Sequence, residues 1–214
     1  MFANKLTELT PAAMKQSKTA NQNHYYVMRH GQSLANHKGI IVSHAINAIS
    51  KYGLTTRGCE QVTEAALKTR LDSNTIIVSS DYKRAVETAE IMKSVLSCPS
   101  PVRLERNLRE RDFGKLELTD QQNYNNVWQQ DLSDSSGSTD TVESVEKTLA
   151  RALKVIYQLE LDYQNQTILL VGHGDVLQIL LAHNKHINPR LHRSLNNLAN
   201  ADIRSLNHLE LIKR

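Results

Sequence analysis

Along the chain, short runs of consecutive apolar residues alternate with longer stretches in which apolar positions recur every three or four residues. The runs Tyr25 to Met28, "NTIIVSS" (Asn74–Ser80) and "QTILLVG" (Gln166–Gly172) are predicted to be strands buried on both faces. "PVRLERNL" (Pro101–Leu108) supplies a shorter strand and "RSLNHLELI" (Arg204–Ile212) a closing edge strand. Helices are predicted over Thr56–Leu71, with Val62, Ala65 and Ala66 inward, and over Tyr82–Leu96, with Ala85, Val86, Ala89 and Met92 inward. A longer one covers Thr141–Tyr163, apolar at Val142, Val145, Leu149, Leu153, Ile156 and Leu159, and a fourth is "DVLQILLAH" (Asp175–His183). Strands alternating with helices predict an α/β three-layer sandwich: a mostly parallel sheet covered on both faces.

Two stretches stand apart from that rhythm. Residues 1–23 are polar, with Thr10 and Pro11 as one helix-start signal, and are expected to form an arm on a single domain spanning 24–214. From Asp112 to Asp140 the chain is polar and irregular, a small cap-like insertion with one helical patch near "TDQQNYNNVWQQ" and a flexible "SDSSGSTD" end. Tyr124 and Trp128 are expected to pack locally within it, with lining of the lid as the alternative.

Length and charge narrow the function classes. At 214 residues the chain suits one domain with an insertion, and 26 Lys+Arg against 22 Asp+Glu gives a net charge of only +4. Those charges are scattered, and aromatic residues make up 5%, too few for base-stacking platforms, so no nucleic-acid partner is expected. The run Arg103, Arg106, Arg109 and Arg111 is expected to be a solvated face, the alternative being a basic set that draws a polyanionic substrate toward the rim. Cys59 and Cys98 are too few and too far apart for a disulfide scaffold or a metal site. No apolar run has signal-peptide or membrane-spanning length, so a cytoplasmic protein without membrane contact is expected. The sequence carries no signal of oligomeric state.

The chemistry gathers where strands stop. In a parallel α/β sheet, ligands bind beyond the carboxyl ends of the strands. The ends here are "RHG", "SSDYKR", "RERDFG" and "GHGD", which deliver two histidines, several arginines and a carboxylate to one rim. Arginine forks match phosphoryl oxygens. A neutral imidazole can attack phosphorus and split one displacement into two. A second histidine can stabilise the charge on the equatorial oxygens, and a carboxyl group can protonate the leaving oxygen. Glycine beside each histidine is expected to let phosphate approach the backbone. Nothing in this set asks for a metal or a cofactor; His183 and His186, spaced i, i+3, have no third ligand nearby.

Five ordered motifs, "MRHGQSLAN", "LTTRGCEQV", "VSSDYKRAVETAE", "LRERDFGKLE" and "LVGHGDVL", resemble the histidine phosphatase superfamily, phosphoglycerate mutase-like branch, from Tyr25 to about Leu211. The resemblance implies a sheet with one antiparallel edge strand, and His30 as the phosphorylated nucleophile. It implies that Arg29, Arg84 and His173 clamp the phosphoryl oxygens, assisted by Asn36, Gly174 and Ser33, the last equally a helix N-cap. Glu110 matches the general acid/base, with Asp112 as the alternative carboxylate. The segments Ala35–Gly53 and Asp112–Asp140 would form the rim and cap that select a small phosphorylated substrate. Asp175 departs from the family pattern, in which small or amide residues are frequent, and either faces the pocket or caps the following helix. The activity implied is hydrolysis of a phosphomonoester through phosphohistidine. The alternatives are a cofactor-dependent phosphoglycerate mutase and a non-catalytic phosphate-binding regulatory protein.

Overall fold

Five strands lie in one sheet in the order β3-β2-β4-β1-β5. The computed structural model describes residues 23–133 and 141–206; the expected N-terminal helix signal at Thr10 and Pro11 and most of "SDSSGSTD" lie outside them. Along the chain come β1 (His24–Arg29), α1 (Leu34–Lys38), α2 (Ala45–Ala48), α3 (Thr56–Lys68), β2 (Ile76–Ser79), α4 (Lys83–Leu96) and β3 (Arg103–Leu104). Then follow α5 (Asn123–Leu132), α6 (Val145–Asp162), β4 (Thr167–Gly172), α7 (Gly174–Asn184) and β5 (Ile203–Leu206). The strands β1, β2, β3 and β4 pair in parallel, whereas β5 runs antiparallel to β1 at the edge.

Alternation along the strands explains the three layers. Tyr25, Val27, Ile168 and Leu170 point to one face, where Val155, Ile156 and Leu159 of α6 and Val176, Leu177 and Leu180 of α7 cover them. Met28, Ile77, Leu169 and Val171 point to the other, against Val62 and Ala66 of α3 and Ala85, Ala89 and Met92 of α4. The third strand is shorter than its apolar run suggested: only Arg103 and Leu104 pair with β2, and Arg106–Leu108 turn into a 3-10 helix. α6 starts at Val145 rather than Thr141, because Ser144 caps it by accepting the Lys147 N–H at 3.2 Å. α1 and α2, five and four residues long, carry too little periodicity to be legible in advance.

Gly31 and Gly58 let the loop after β1 lie on the first turn of α3. A Cβ on Gly31 would fall 2.5 Å from the Gly58 carbonyl oxygen, and one on Gly58 would fall 2.1 Å from that of Gln32. The Gly31 N–H donates to Thr88 Oγ1 at 3.2 Å. Glycine after His30 therefore serves close backbone packing, and not the phosphate approach expected from its place beside a histidine. Gly31→Ala is expected to lower stability by about 1–3 kcal/mol through overpacking, measured as a reduced midpoint in urea unfolding.

Candidate active site

The register of β1 on β4 pairs Arg29 with Gly172, so the residues that follow, His30 and His173, leave adjacent strand ends side by side. Their ring centroids are 5.2 Å apart in an edge-on arrangement, and both rings are buried. Arg84, buried in the first turn of α4, donates from Nε to His30 Nε2 at 3.1 Å and from Nη2 to the Val42 carbonyl at 3.0 Å. Arg29 Nη1 donates to the Leu198 carbonyl at 2.8 Å.

His30 is held in one tautomer from both sides. Its Nδ1 lies 2.7 Å from the Gly31 carbonyl oxygen, which can only accept, so Nδ1 carries the proton. Arg84 can only donate, so Nε2 is the lone-pair nitrogen. Burial, then the Arg84 and Arg29 charges, keep His30 well below the ordinary histidine range. The sequence shows the need for such a device without showing which groups provide it. His173 is also held low, by burial first and then Arg84, and its Nε2 lies 2.9 Å from Ser80 Oγ.

Three buried nitrogens at this point, Arg29 Nε, Arg84 Nη1 and His173 Nδ1, have no hydrogen-bond partner among the described residues. Buried guanidinium groups without carboxylates are costly unless an anion completes them. The N-terminus of α7 adds positive potential, since His173 provides no side-chain cap to its first turn. A cavity of about 340 Å³ opens over this cluster, lined by Arg29, His30, Arg84 and Gly174 on the sheet side and by Tyr124 and Trp128 on the cap side.

Glu110 is one of two carboxyl groups, with Asp175, that line the cavity. Its Oε1 accepts the backbone N–H of Arg111 at 2.9 Å and of Val176 at 3.4 Å. Burial first, and the nearby Asp175 second, push it above the usual carboxylate range, against Arg84 and Arg29. Asp112 instead lies exposed, 3.0 Å from His44 Nε2. Asn36 gives its amide oxygen to the Ser33 N–H and hydroxyl, at 3.1 and 3.0 Å, and to Asn200 at 3.4 Å. That leaves its NH2 donors for the cavity it lines. The Ser33 hydroxyl faces the same cavity but is engaged in a capping box at the start of α1. A Cβ on Gly174 would sit 3.7 Å from the Arg29 guanidinium, within the space above it.

Several expectations need correcting. Tyr124 and Trp128 are not confined to packing inside the insertion; they form the cap wall of the cavity, stacked at 5.4 Å with Tyr124 edge-on to Phe113 at 4.7 Å. Of the two readings of Asp175, the pocket-facing one holds and the helix cap does not: it lines the cavity and accepts the Trp128 indole N–H at 3.0 and 3.1 Å. The four arginines are not one solvated face. Arg106 is 85% exposed in its side chain, but Arg109 is bidentate to Asp81, Arg103 pairs with Glu105 and Asp162, and Arg111 is buried against Asp131 and Asp175. Arg193, Ser80 and Asn200 had no place in the sequence-based set; Arg193 and Asn200 come from the irregular segment before β5, where no periodicity marks them.

Among the described residues no group of three or more metal-ligating side chains gathers, His183 and His186 included. No helix among them is long and apolar enough to cross a membrane. Cys98 is buried, Cys59 exposed, and both are free.

Fold and pocket together define an α/β protein built to take an oxyanion beside a buried pair of histidines. The chain belongs to the histidine phosphatase superfamily (branch 1), whose family model matches residues 25–210. It is 30% identical over 162 residues to a probable phosphoglycerate mutase GpmB of Proteus mirabilis, covering 73% of this chain and 72% of that one. It is also 30% identical over 169 residues to the adenosylcobalamin/alpha-ribazole phosphatase of Escherichia coli, covering 73% and 76%. Solved structures share the fold. A mycobacterial glucosyl-3-phosphoglycerate phosphatase superposes with a TM-score of 0.70 at 22% identity, covering 86% and 92% of the chains. The phosphoserine phosphatase of Entamoeba histolytica gives 0.69 at 24%, covering 86% and 90%.

If the unpartnered donors form an oxyanion cradle, inorganic phosphate at a hundredfold excess over its Kd should stabilise the fold by about 2.7 kcal/mol. Thermal melting would show the rise, and Arg84→Ala should abolish it.

Proposed function

We propose that the domain of residues 24–214, with its cap insertion at about 112–140, is a phosphatase that hydrolyses a small phosphomonoester through phosphohistidine. The observation that carries this reading is the coincidence of three unpaired buried donors with the lone-pair nitrogen of a tautomerically fixed His30. A phosphoryl group in that cradle takes its oxygens onto Arg29, Arg84 and His173, with Asn36 and the α7 N-terminus at Gly174 completing the set. Arg84 Nε then exchanges its bond to His30 for one to phosphate, freeing the attacking lone pair.

The first step forms the bond from His30 Nε2 to phosphorus and breaks the ester P–O bond; the leaving oxygen takes the proton of Glu110. In the second, the Glu110 carboxylate takes a proton from water, whose oxygen attacks phosphorus and breaks the N–P bond, releasing inorganic phosphate. A neutral His173 that accepts from Ser80 at Nε2 carries its proton on Nδ1, the unpartnered atom, and offers it to an equatorial oxygen. The buried donors are worth more there than in water, because the dielectric is low.

Mutase chemistry is the second reading, favoured by the names of several curated relatives; the short cap, with α5 only ten residues long, supports hydrolysis. Dependence on 2,3-bisphosphoglycerate with poor hydrolysis of p-nitrophenyl phosphate would select the mutase.

A panel of phosphomonoesters is expected to yield turnover that falls on the order of ten-thousandfold in His30→Ala. Equal hydrolysis by wild type and His30→Ala would sink the assignment and leave a binding protein. Glu110→Gln should cost about a hundred- to ten-thousandfold, most for poor leaving groups. Neutral His30 is needed, and its pKa is held down, so the acid limb of kcat/KM should lie well below the ordinary histidine value of 6.5. Protonated Glu110 is needed, and its pKa is pushed up, so the alkaline limb should lie above the ordinary glutamate value of 4.5.

A further inference from the structure

Asp175 has no part in the two chemical steps, yet it is one of the most enclosed charges in the chain, at 3% exposure. Besides both contacts from the Trp128 indole, it accepts Arg111 Nη1 at 3.4 Å. Arg111, 2% exposed, also forks onto Asp131 through Nη1 and Nη2, each at 2.7 Å. Trp128 and Asp131 belong to α5, so one carboxylate and one guanidinium of the body hold the inner side of the cap. Arg193 packs its guanidinium 3.8 Å from the Trp128 ring centre and donates to Gln178 Oε1 at 2.5 Å.

The same carboxylate adjoins the acid. Glu110 Oε1 is bonded by the backbone N–H groups of Arg111 and Val176, which are Asp175's own partner and its chain neighbour. We propose that Asp175 is a positioning residue: it seats the cap helix against the pocket through Trp128 and Arg111, and sets the surroundings of Glu110 through Arg111 and Val176. This rests on the phosphatase reading.

Two buried carboxyl groups on one cavity disfavour joint ionisation, and their surroundings decide which holds its proton more tightly. Asp175 faces Arg111, Arg193 at 3.9 Å and His192 Nε2 at 3.7 Å, together with the indole donor. Burial would raise its pKa, but His192, Arg111 and Arg193 hold it below the usual range. Glu110 faces Arg84 and Arg29, which oppose protonation without overcoming burial and Asp175, and Tyr124, itself pushed up by burial and then by Glu110. These surroundings favour charge on Asp175 and shift Glu110 toward the acid form.

Trp128 is the only tryptophan in the chain, so its fluorescence reports on this cluster directly. In the wild-type protein, Trp128 emission is expected to titrate with the midpoint of the alkaline limb of kcat/KM, and Glu110→Gln should remove that titration. Asp175→Asn keeps the shape and an acceptor for the indole but loses the charge. Its alkaline limb should move to lower pH by about one unit, because Glu110 then surrenders its proton sooner. Trp128→Phe retains the charge, so KM should rise while the limb stays in place. An unmoved limb in folded Asp175→Asn, or no Glu110-dependent titration of Trp128, overturns the proposal. If Asp175→Asn does not fold, the fluorescence result decides. That measurement needs no turnover, so a failed coupling and a failed phosphatase assignment give different outcomes.

Discussion

Parallel pairing of β1 with β4 is the constraint on which the site depends. The ladder that sets Arg29 opposite Gly172 also brings two imidazoles, 143 positions apart in sequence, to a 5.2 Å separation. A one-residue slip would turn every side chain of β1 to the opposite face, moving Tyr25 and Val27 out of one core and Met28 out of the other. Burial of two apolar layers thus fixes the position of His30, the proposed nucleophile. The placement of the two histidines and the core packing are enforced by the same hydrogen bonds.

Around that pair the protein concentrates positive potential without neutralising it. Arg84 is bonded to an imidazole and a backbone carbonyl, and Arg29 to a backbone carbonyl. By contrast, Arg103, Arg109, Arg111 and Arg151 all meet carboxylates. Leaving two guanidinium groups unpaired by acids is unfavourable for the free protein, and the folded cores carry that burden. In return, a phosphoryl group needs little reorganisation when it arrives.

The cap is attached differently. Glu117 accepts from Ser43 N at 2.6 Å, Ser43 Oγ at 2.9 Å and Asn47 at 3.0 Å. These contacts stitch the rim segment after α1 to the start of the insertion, while α5 is fixed by the buried Asp175–Arg111–Asp131 chain. Polar contacts give the cap its orientation, and Phe113, Ile41 and Val127 form only a small core of their own. The cap proposed to select the substrate is therefore a layer held apart from the packing of the sheet.

Much of this was legible in the residues. Apolar runs mark β1, β2 and β4, three- and four-residue spacing marks α3, α4 and α6, the apolar stretch after "GHG" marks α7, and His30, Arg84, Glu110 and His173 lie one to six positions beyond strand ends. Short-range pattern suffices for them because a strand's end and its next residue are tied covalently. The roles of Gly31, Arg111, Trp128, Asp175 and Arg193 were not legible. Gly31 is explained only by Gly58 across a loop, and Trp128 meets Asp175 across 47 positions. The sequence by itself determined the layers and the rim on which the chemistry sits. Which carboxylate is paired with cations and which is pushed above the usual range was decided by tertiary structure alone, because burial and opposing charge come from segments that no local pattern connects.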